Sequence, residues 1–229
     1  MAKDSTGVVQ VSAVRRYRHA LAVVLLVTSA SALAAQSTST APPAAPQGRG
    51  GGGGRGGGGR GRAAVRVMTL TSPAFTDGGR IPDKYAQPGH ELSPALTWTG
   101  APDTTASYVL IAHDLDAAIG NGTDDVLQWM VWNIPATATS LAEGVPQGPD
   151  LPDGSRQISV TGPYYRAPAA PATGPAHHYA FELYALDAMI DVPAVGAAPP
   201  ATRAAVLAAM AGHIRGKAVL VGLYRRGPA

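Results

Sequence analysis

Three short stretches of this 229-residue chain carry residue types suited to holding a charged ligand. Asp114 and Asp116 stand two apart at the end of the apolar run Tyr108-Val109-Leu110-Ile111-Ala112. On extended backbone, positions i and i+2 project from one face, so both carboxylates are expected on the same side of a strand end. Gln128 and Trp129 open a second run that continues to Trp132-Asn133-Ile134-Pro135. His177-His178-Tyr179 open a third, which extends to Leu186. Imidazole and phenol donate hydrogen bonds to phosphate or carboxylate, whereas aspartates attract an ammonium or orient such donors. Each stretch also has a plainer reading: a solvated strand end for the aspartates, core aromatics for the tryptophans, and an exposed pair for the histidines.

Composition narrows the chemistry. With no cysteine there is no disulfide framework, thiolate metal site or cysteine nucleophile. There is no Gly-x-Ser-x-Gly elbow and no His-x-x-x-His spacing. Net positive charge is confined to the front: residues 1–66 hold nine Lys and Arg against Asp4 alone, a net of +8. Residues 67–229 hold nine against fourteen Asp and Glu, a net of −5. The acidic remainder argues against a domain that binds nucleic acid.

The front divides in two. Arg15, Arg16 and Arg18 precede the apolar Leu21–Val27, and Ala32-Leu33-Ala34 offers the small-x-small pattern of a cleavage site. Residues 1–35 therefore read as a signal peptide. The apolar tract is broken by Thr28, Ser29 and Ser31 and is short for a membrane span, so no transmembrane anchor is expected after cleavage. The Arg15-Arg16 pair leaves the general and twin-arginine export routes both open. Residues 36–64 are rich in Pro, Gly and Arg, with no apolar side chain larger than Ala to offset the entropy of ordering them. They read as a flexible tether.

From Val65 onward the chain changes character, and 65–229 reads as one domain. Short stretches rich in β-branched and aromatic residues occupy Val65–Thr71, Tyr108–His113, Leu127–Ile134, His178–Leu186 and Ala218–Tyr224. Turn sequences such as Asp77-Gly78-Gly79 and Gly120-Asn121-Gly122 separate them. One helix is predicted over Ala201–Arg215, with Val206, Leu207, Met210 and Ile214 on its buried face and Gly216 as its stop. The expected fold is mostly β: an antiparallel two-sheet β-sandwich, Greek-key-like, with one late α-helix and a disordered N-terminal extension.

Five motifs, in order and at matching spacing, make Leu70–Asp187 resemble the phosphatidylethanolamine-binding protein family in its bacterial Raf-kinase-inhibitor-like branch. They are Ser72-Pro73-Ala74-Phe75 with Asp77-Gly78 and Ile81-Pro82, Ser93-Pro94-Ala95-Leu96-Thr97-Trp98, and His113-Asp114-Leu115-Asp116-Ala117. The last two are Gln128 to Pro135 and His177 to Asp187. The resemblance implies a pocket at one end of the sandwich for phosphate, a phosphoryl headgroup or an acetate-like anion. Carried over position by position, it implies ligand-binding roles for Asp114, Asp116, Gln128, Trp129, His177 and Tyr179.

Three departures stand out. Gln128 occupies the position of a family histidine, and glutamine donates through its amide but neither titrates nor gains charge. Leu115 and Ala118 replace two prolines, which leaves that loop less rigid. Gly162-Pro163-Tyr164-Tyr165-Arg166-Ala167-Pro168 only loosely echoes the family loop before the histidine segment, and leaves the direction of Arg166 open. The leading expectation is an exported, periplasmic or secreted binding module with no catalysis, cofactor or metal, acting on a small anionic ligand. The second is a protein-interaction module such as a protease inhibitor; the third is a metal-dependent hydrolase. A homodimer is compatible with all three. The first experimental consequence is at the N-terminus: protein recovered from the native cell envelope should begin near Ala35 or Gln36 by terminal sequencing, and recovery of Met1 would refute the cleaved signal.

Overall fold

The computed structural model describes residues 64–87, 92–120 and 122–227. The predicted signal peptide, and the predicted tether apart from Ala64, lie outside the described residues.

Among the described residues the chain is mostly β, with two sheets, one α-helix and a short 3-10 turn at Asp83–Tyr85. The strands are β1 (Arg66–Val67), β2 (Thr69–Thr71), β3 (Gly79–Arg80), β4 (Leu96–Thr99), β5 (Ser107–Ile119), β6 (Asp124–Pro135), β7 (Ser140–Leu141), β8 (Arg156–Ile158), β9 (His177–Leu186) and β10 (Ile214–Tyr224). The helix α1 spans Pro199–Met210. The larger sheet runs β1-β10-β9-β5-β6-β8, with β3 also on β10; the smaller runs β2-β4-β7. Pairing is antiparallel except for the short β1 and β3, which lie parallel to β10. The expectation of a purely antiparallel arrangement therefore fails at these two edges. The predicted strand Val65–Thr71 also splits. Its first half joins the larger sheet and its second half the smaller, with the buried Met68 between them as the crossover.

Alternation along β5 and β6 explains the layering. Leu110 and Ala112 on β5, with Trp129 and Val131 on β6, face a core shared with Leu70, Leu96 and Trp98 of the smaller sheet. Val109, Ile111, Met130 and Trp132 face the other way, against Val206 and Met210 of α1 and Ile190 and Val192 of the preceding loop. Because β5 and β6 are buried on both faces, their sequences read as near-continuous apolar runs instead of alternating ones.

The helix is shorter than predicted. It ends at Met210, and Gly212 follows at φ +86°, a left-handed conformation that glycine adopts without a steric penalty. Gly216, predicted as the stop, lies inside β10. A Cβ there would come within 2.6 Å of the Met68 sulfur, so glycine admits the crossover residue. The buried line on α1 is Thr202, Val206 and Met210, four residues apart, while Leu207 is exposed.

One residue holds this second layer in place. Asn133 sits at φ +59°, its side-chain amide donating to the Ile190 carbonyl and its carbonyl accepting the Ile190 N–H, both at 2.8 Å. Asparagine tolerates this backbone region and matches a peptide group edge to edge. Asn133→Ala should cost about 2–4 kcal/mol in urea unfolding, from two buried hydrogen bonds and the positive φ. Asn133→Gly should cost less, because only the hydrogen bonds are lost.

Candidate functional site

The three chemistry-bearing stretches meet at one end of the larger sheet. Asp114 pairs with Val126 on β6 and Tyr179 on β9, as the last residue of the regular β5 ladder. Gln128 is the extra residue of a bulge: Ala112 pairs with Trp129 and His113 with Leu127, leaving Gln128 between them.

Asp114 is 4% exposed, and its carboxylate is fully employed. Its Oδ1 accepts the backbone N–H groups of Asp116 and Ala117, each at 3.1 Å. His177 donates from Nδ1 to both carboxylate oxygens, at 3.1 and 3.0 Å. A carboxylate only accepts, so Nδ1 carries the proton, and Nε2 is the nitrogen left to meet a ligand. As imidazolium, His177 donates from Nε2. The Tyr179 ring stacks beside that of His177, with centroids 6.5 Å apart, and its oxygen accepts the Ala169 N–H at 3.4 Å. Burial, then the Asp114 carboxylate, push the Tyr179 phenol well above its usual range, so it stays protonated.

Arg166, whose direction the sequence left open, reaches Gln128. Its N–H donates to the Gln128 carbonyl at 2.9 Å and its guanidinium to Gln128 Oε1 at 3.3 Å. With Oε1 on Arg166, the Gln128 amide nitrogen is turned away from that guanidinium. The neighbouring Tyr165 ring meets Trp129 edge-on, with centroids 5.6 Å apart. Trp129 is completely buried, and its indole donates to Gln157 Oε1 at 2.7 Å. It supports the site from below; its plain reading as a core aromatic is the one the packing displays.

Asp116 goes elsewhere. Its Oδ2 accepts the His178 N–H at 2.6 Å and faces His178 Nδ1 at 2.8 Å. The shared face expected for the two aspartates does not form, because the Asp114 side chain binds the next backbone amides and regular β5–β6 pairing lapses until Ile119. The two carboxylates take neighbouring histidines, which alternate across the strand.

The opposite face of the same strands carries a second polar cluster that the sequence did not reveal. His113 bonds Asp125, which bonds Arg203 of α1, while Glu182 lies 3.6 Å from the other imidazole nitrogen. Glu182 also accepts from Lys217 at 2.7 Å and Tyr184 at 2.8 Å. Its only sequence signal was polar residues at inward positions of apolar strands.

The sequence model of the family described as phosphatidylethanolamine-binding protein matches residues 71–225. The chain belongs to this family. Among its relatives, a UPF0098 protein of Methanothermobacter thermautotrophicus is 43% identical over 162 residues, spanning 70% of this chain and 100% of that protein. A UPF0098 protein of Aquifex aeolicus is 34% identical, spanning 70% of this chain and 90% of that one. Two crystal structures are similar. The phosphatidylethanolamine-binding protein homologue CT736 of Chlamydia trachomatis has a TM-score of 0.58 at 31% identity, spanning 71% of this chain and 99% of its own. YbcL of Escherichia coli, titled a member of the mammalian family, has a TM-score of 0.59 at 25% identity, spanning 69% and 98%.

The cluster under α1 makes stability depend on pH at both ends. His113 holds Glu182 down at about 2, against burial and with help from Lys217 and Tyr184. Burial would lower the His113 pKa, but Glu182 and Asp125 outweigh it and raise it. The depressed Glu182 contributes stability above its unfolded value near 4.5, and loses it as pH falls toward 2. The raised His113 contributes stability below its unfolded value near 6.5, and loses it as pH climbs through the folded value. Urea midpoints should therefore be highest between these limits. Glu182→Gln should flatten the acid limb, with a loss at neutral pH on the order of 2–3 kcal/mol; His113→Gln should flatten the alkaline limb.

Proposed function

We propose that this chain is an exported, periplasmic or secreted, binding module for a small anion: phosphate, a phosphoryl headgroup or a carboxylate. In this reading it performs no catalysis of its own. The observation that carries it is the buried Asp114 locking His177 by Nδ1, which leaves Nε2 as the free nitrogen of a ring stacked beside Tyr179 at the sheet end. An imidazole in its protonated form and an amide are donors suited to one oxyanion, and the carboxylate that orients the imidazole is kept off the ligand by its own hydrogen bonds, that from the Tyr179 phenol among them. Membership of the phosphatidylethanolamine-binding family supports the same end of the sheet as the binding end. The family's two-sheet sandwich is the finer architecture this reading adopts. Export rests on the sequence of residues 1–35, and the tether would set the module at a distance from the envelope.

A metal-dependent hydrolase is the weaker reading, because its ligands are dispersed. His113, His177 and His178 are each drawn to a different carboxylate: Asp125, Asp114 and Asp116. A protein-interaction module has one observation in its favour, the exposed Leu115, Ile119 and Leu207 around a groove between the β5–β6 hairpin and α1.

Titration with phosphate, phosphoethanolamine and acetate, followed by ligand-observed NMR and calorimetry, tests the proposal. Gln128→His should tighten phosphate binding at mildly acidic pH by roughly 1–2 kcal/mol, as a charge-assisted hydrogen bond replaces a neutral one. His177→Ala should weaken it in both backgrounds by roughly 1.5–3 kcal/mol. Anion binding indifferent to both substitutions would sink this reading.

A further inference from the structure

The described lysines and arginines from Arg80 onward fall into two groups. Arg80, Lys84, Arg156, Arg203, Arg215 and Lys217 each have a carboxylate within 3.5 Å. Arg166, Arg225 and Arg226 meet only neutral oxygens: Gln128 Oε1 at 3.3 Å, the Gly174 carbonyl at 3.0 Å and Gln87 Oε1 at 3.4 Å. From residue 67 onward, where the sequence is net acidic, the described guanidinium groups left without a carboxylate collect at one end, opposite to the end of β10 where the exposed Arg66 stands. Their end is the one that carries His177.

Backbone contacts fix this proximity. Tyr224 is the register partner of His177, so Arg225 and Arg226 follow within about 7 Å of extended chain. The Arg226 N–H donates to the Ala170 carbonyl, and the adjacent Ala169 N–H donates to the Tyr179 oxygen. Arg225 clasps Gly174, three residues before His177. Arg225 and Arg226, with Arg80 and Ala176, line a cleft of about 320 Å³. Ala176 directly precedes His177, so the cleft begins where the histidine site ends. A guanidinium held by neutral oxygens keeps its full charge and its remaining donors, which is the state that binds phosphoryl oxygens. Two of them in one cleft exceed what a single anion at His177 requires.

We propose that the ligand is extended, with one anionic group at His177 and a second in the Arg225–Arg226 cleft: a diphosphate or a phosphoryl compound bearing a further anionic group. This rests on the anion-binding reading of the His177 site and adds a second subsite to it.

The test is calorimetry of the purified chain with orthophosphate and with pyrophosphate, read as the ratio of their affinities. Pyrophosphate should bind at least tenfold more tightly. Arg225→Gln combined with Arg226→Gln should bring the ratio to within threefold, and each single substitution should lower it measurably, so the outcome does not hang on the double variant's folding. Arg66→Gln, which removes a positive charge about 27 Å away along β10, should leave the ratio unchanged. Equal affinities in the wild type, or a ratio untouched by the Arg225 and Arg226 substitutions, would overturn the second subsite while orthophosphate binding left the first in place. Binding of neither anion would overturn both.

Discussion

The hairpin of β5 and β6 is buried on both faces, and that constraint governs everything placed upon it. A polar side chain in such a hairpin has no water to turn to, so it must find a partner within the protein or sit where the layers end. His113 and Asp114 are consecutive and point to opposite faces, and each solves the problem with its own partner. On one face His113 is taken into a chain of charges that reaches α1. On the other, Asp114 is satisfied by two backbone amides and His177. The site and the structural cluster are two answers to the same desolvation penalty, set back to back.

This arrangement separates rigidity from exposure. The groups that orient the site lie inside, held by close packing: Asp114, Trp129 under Tyr165, and Gln157 beneath the indole. His177 Nε2 is the free end of an otherwise engaged side chain, while Gln128 is itself buried with its amide oxygen on Arg166. In the proposed reading, a site built in this way holds its donors in place before a ligand arrives, so little conformational entropy is lost on binding.

Much of this was legible in the sequence, and the failures have physical causes. Apolar runs marked the long strands because double-sided burial leaves a continuous pattern. The short strands β1, β2, β3, β4, β7 and β8 were lost or merged, since two to four residues carry no periodicity. Helix length was overestimated because Ile214 continues the apolar spacing of α1 across a break that only Gly212 announces. The separation of Asp114 from Asp116 was illegible: the rule of alternate faces presumes regular pairing, which the Asp114 side chain itself ends. Asn133 stood in plain view within Asn-Ile-Pro, but its task, matching Ile190 from a left-handed backbone, is a long-range contact that no local pattern encodes. The Arg166–Gln128 pair was likewise set by where a loop lands.

The crossover at Met68 has a mechanical side. Tension arriving along the chain from before Val65 falls first on the two residues of β1 and their parallel pairing with β10, a grip of few hydrogen bonds. The next obstacle is the Met68 side chain, lodged against Gly216 where no Cβ stands in its way. Beyond it the line of force passes into β2 and the other sheet. The domain is thus loaded through a small fastening that can give way by itself, and a pull on the leading chain is absorbed there before it reaches β5, β9 or the histidine end.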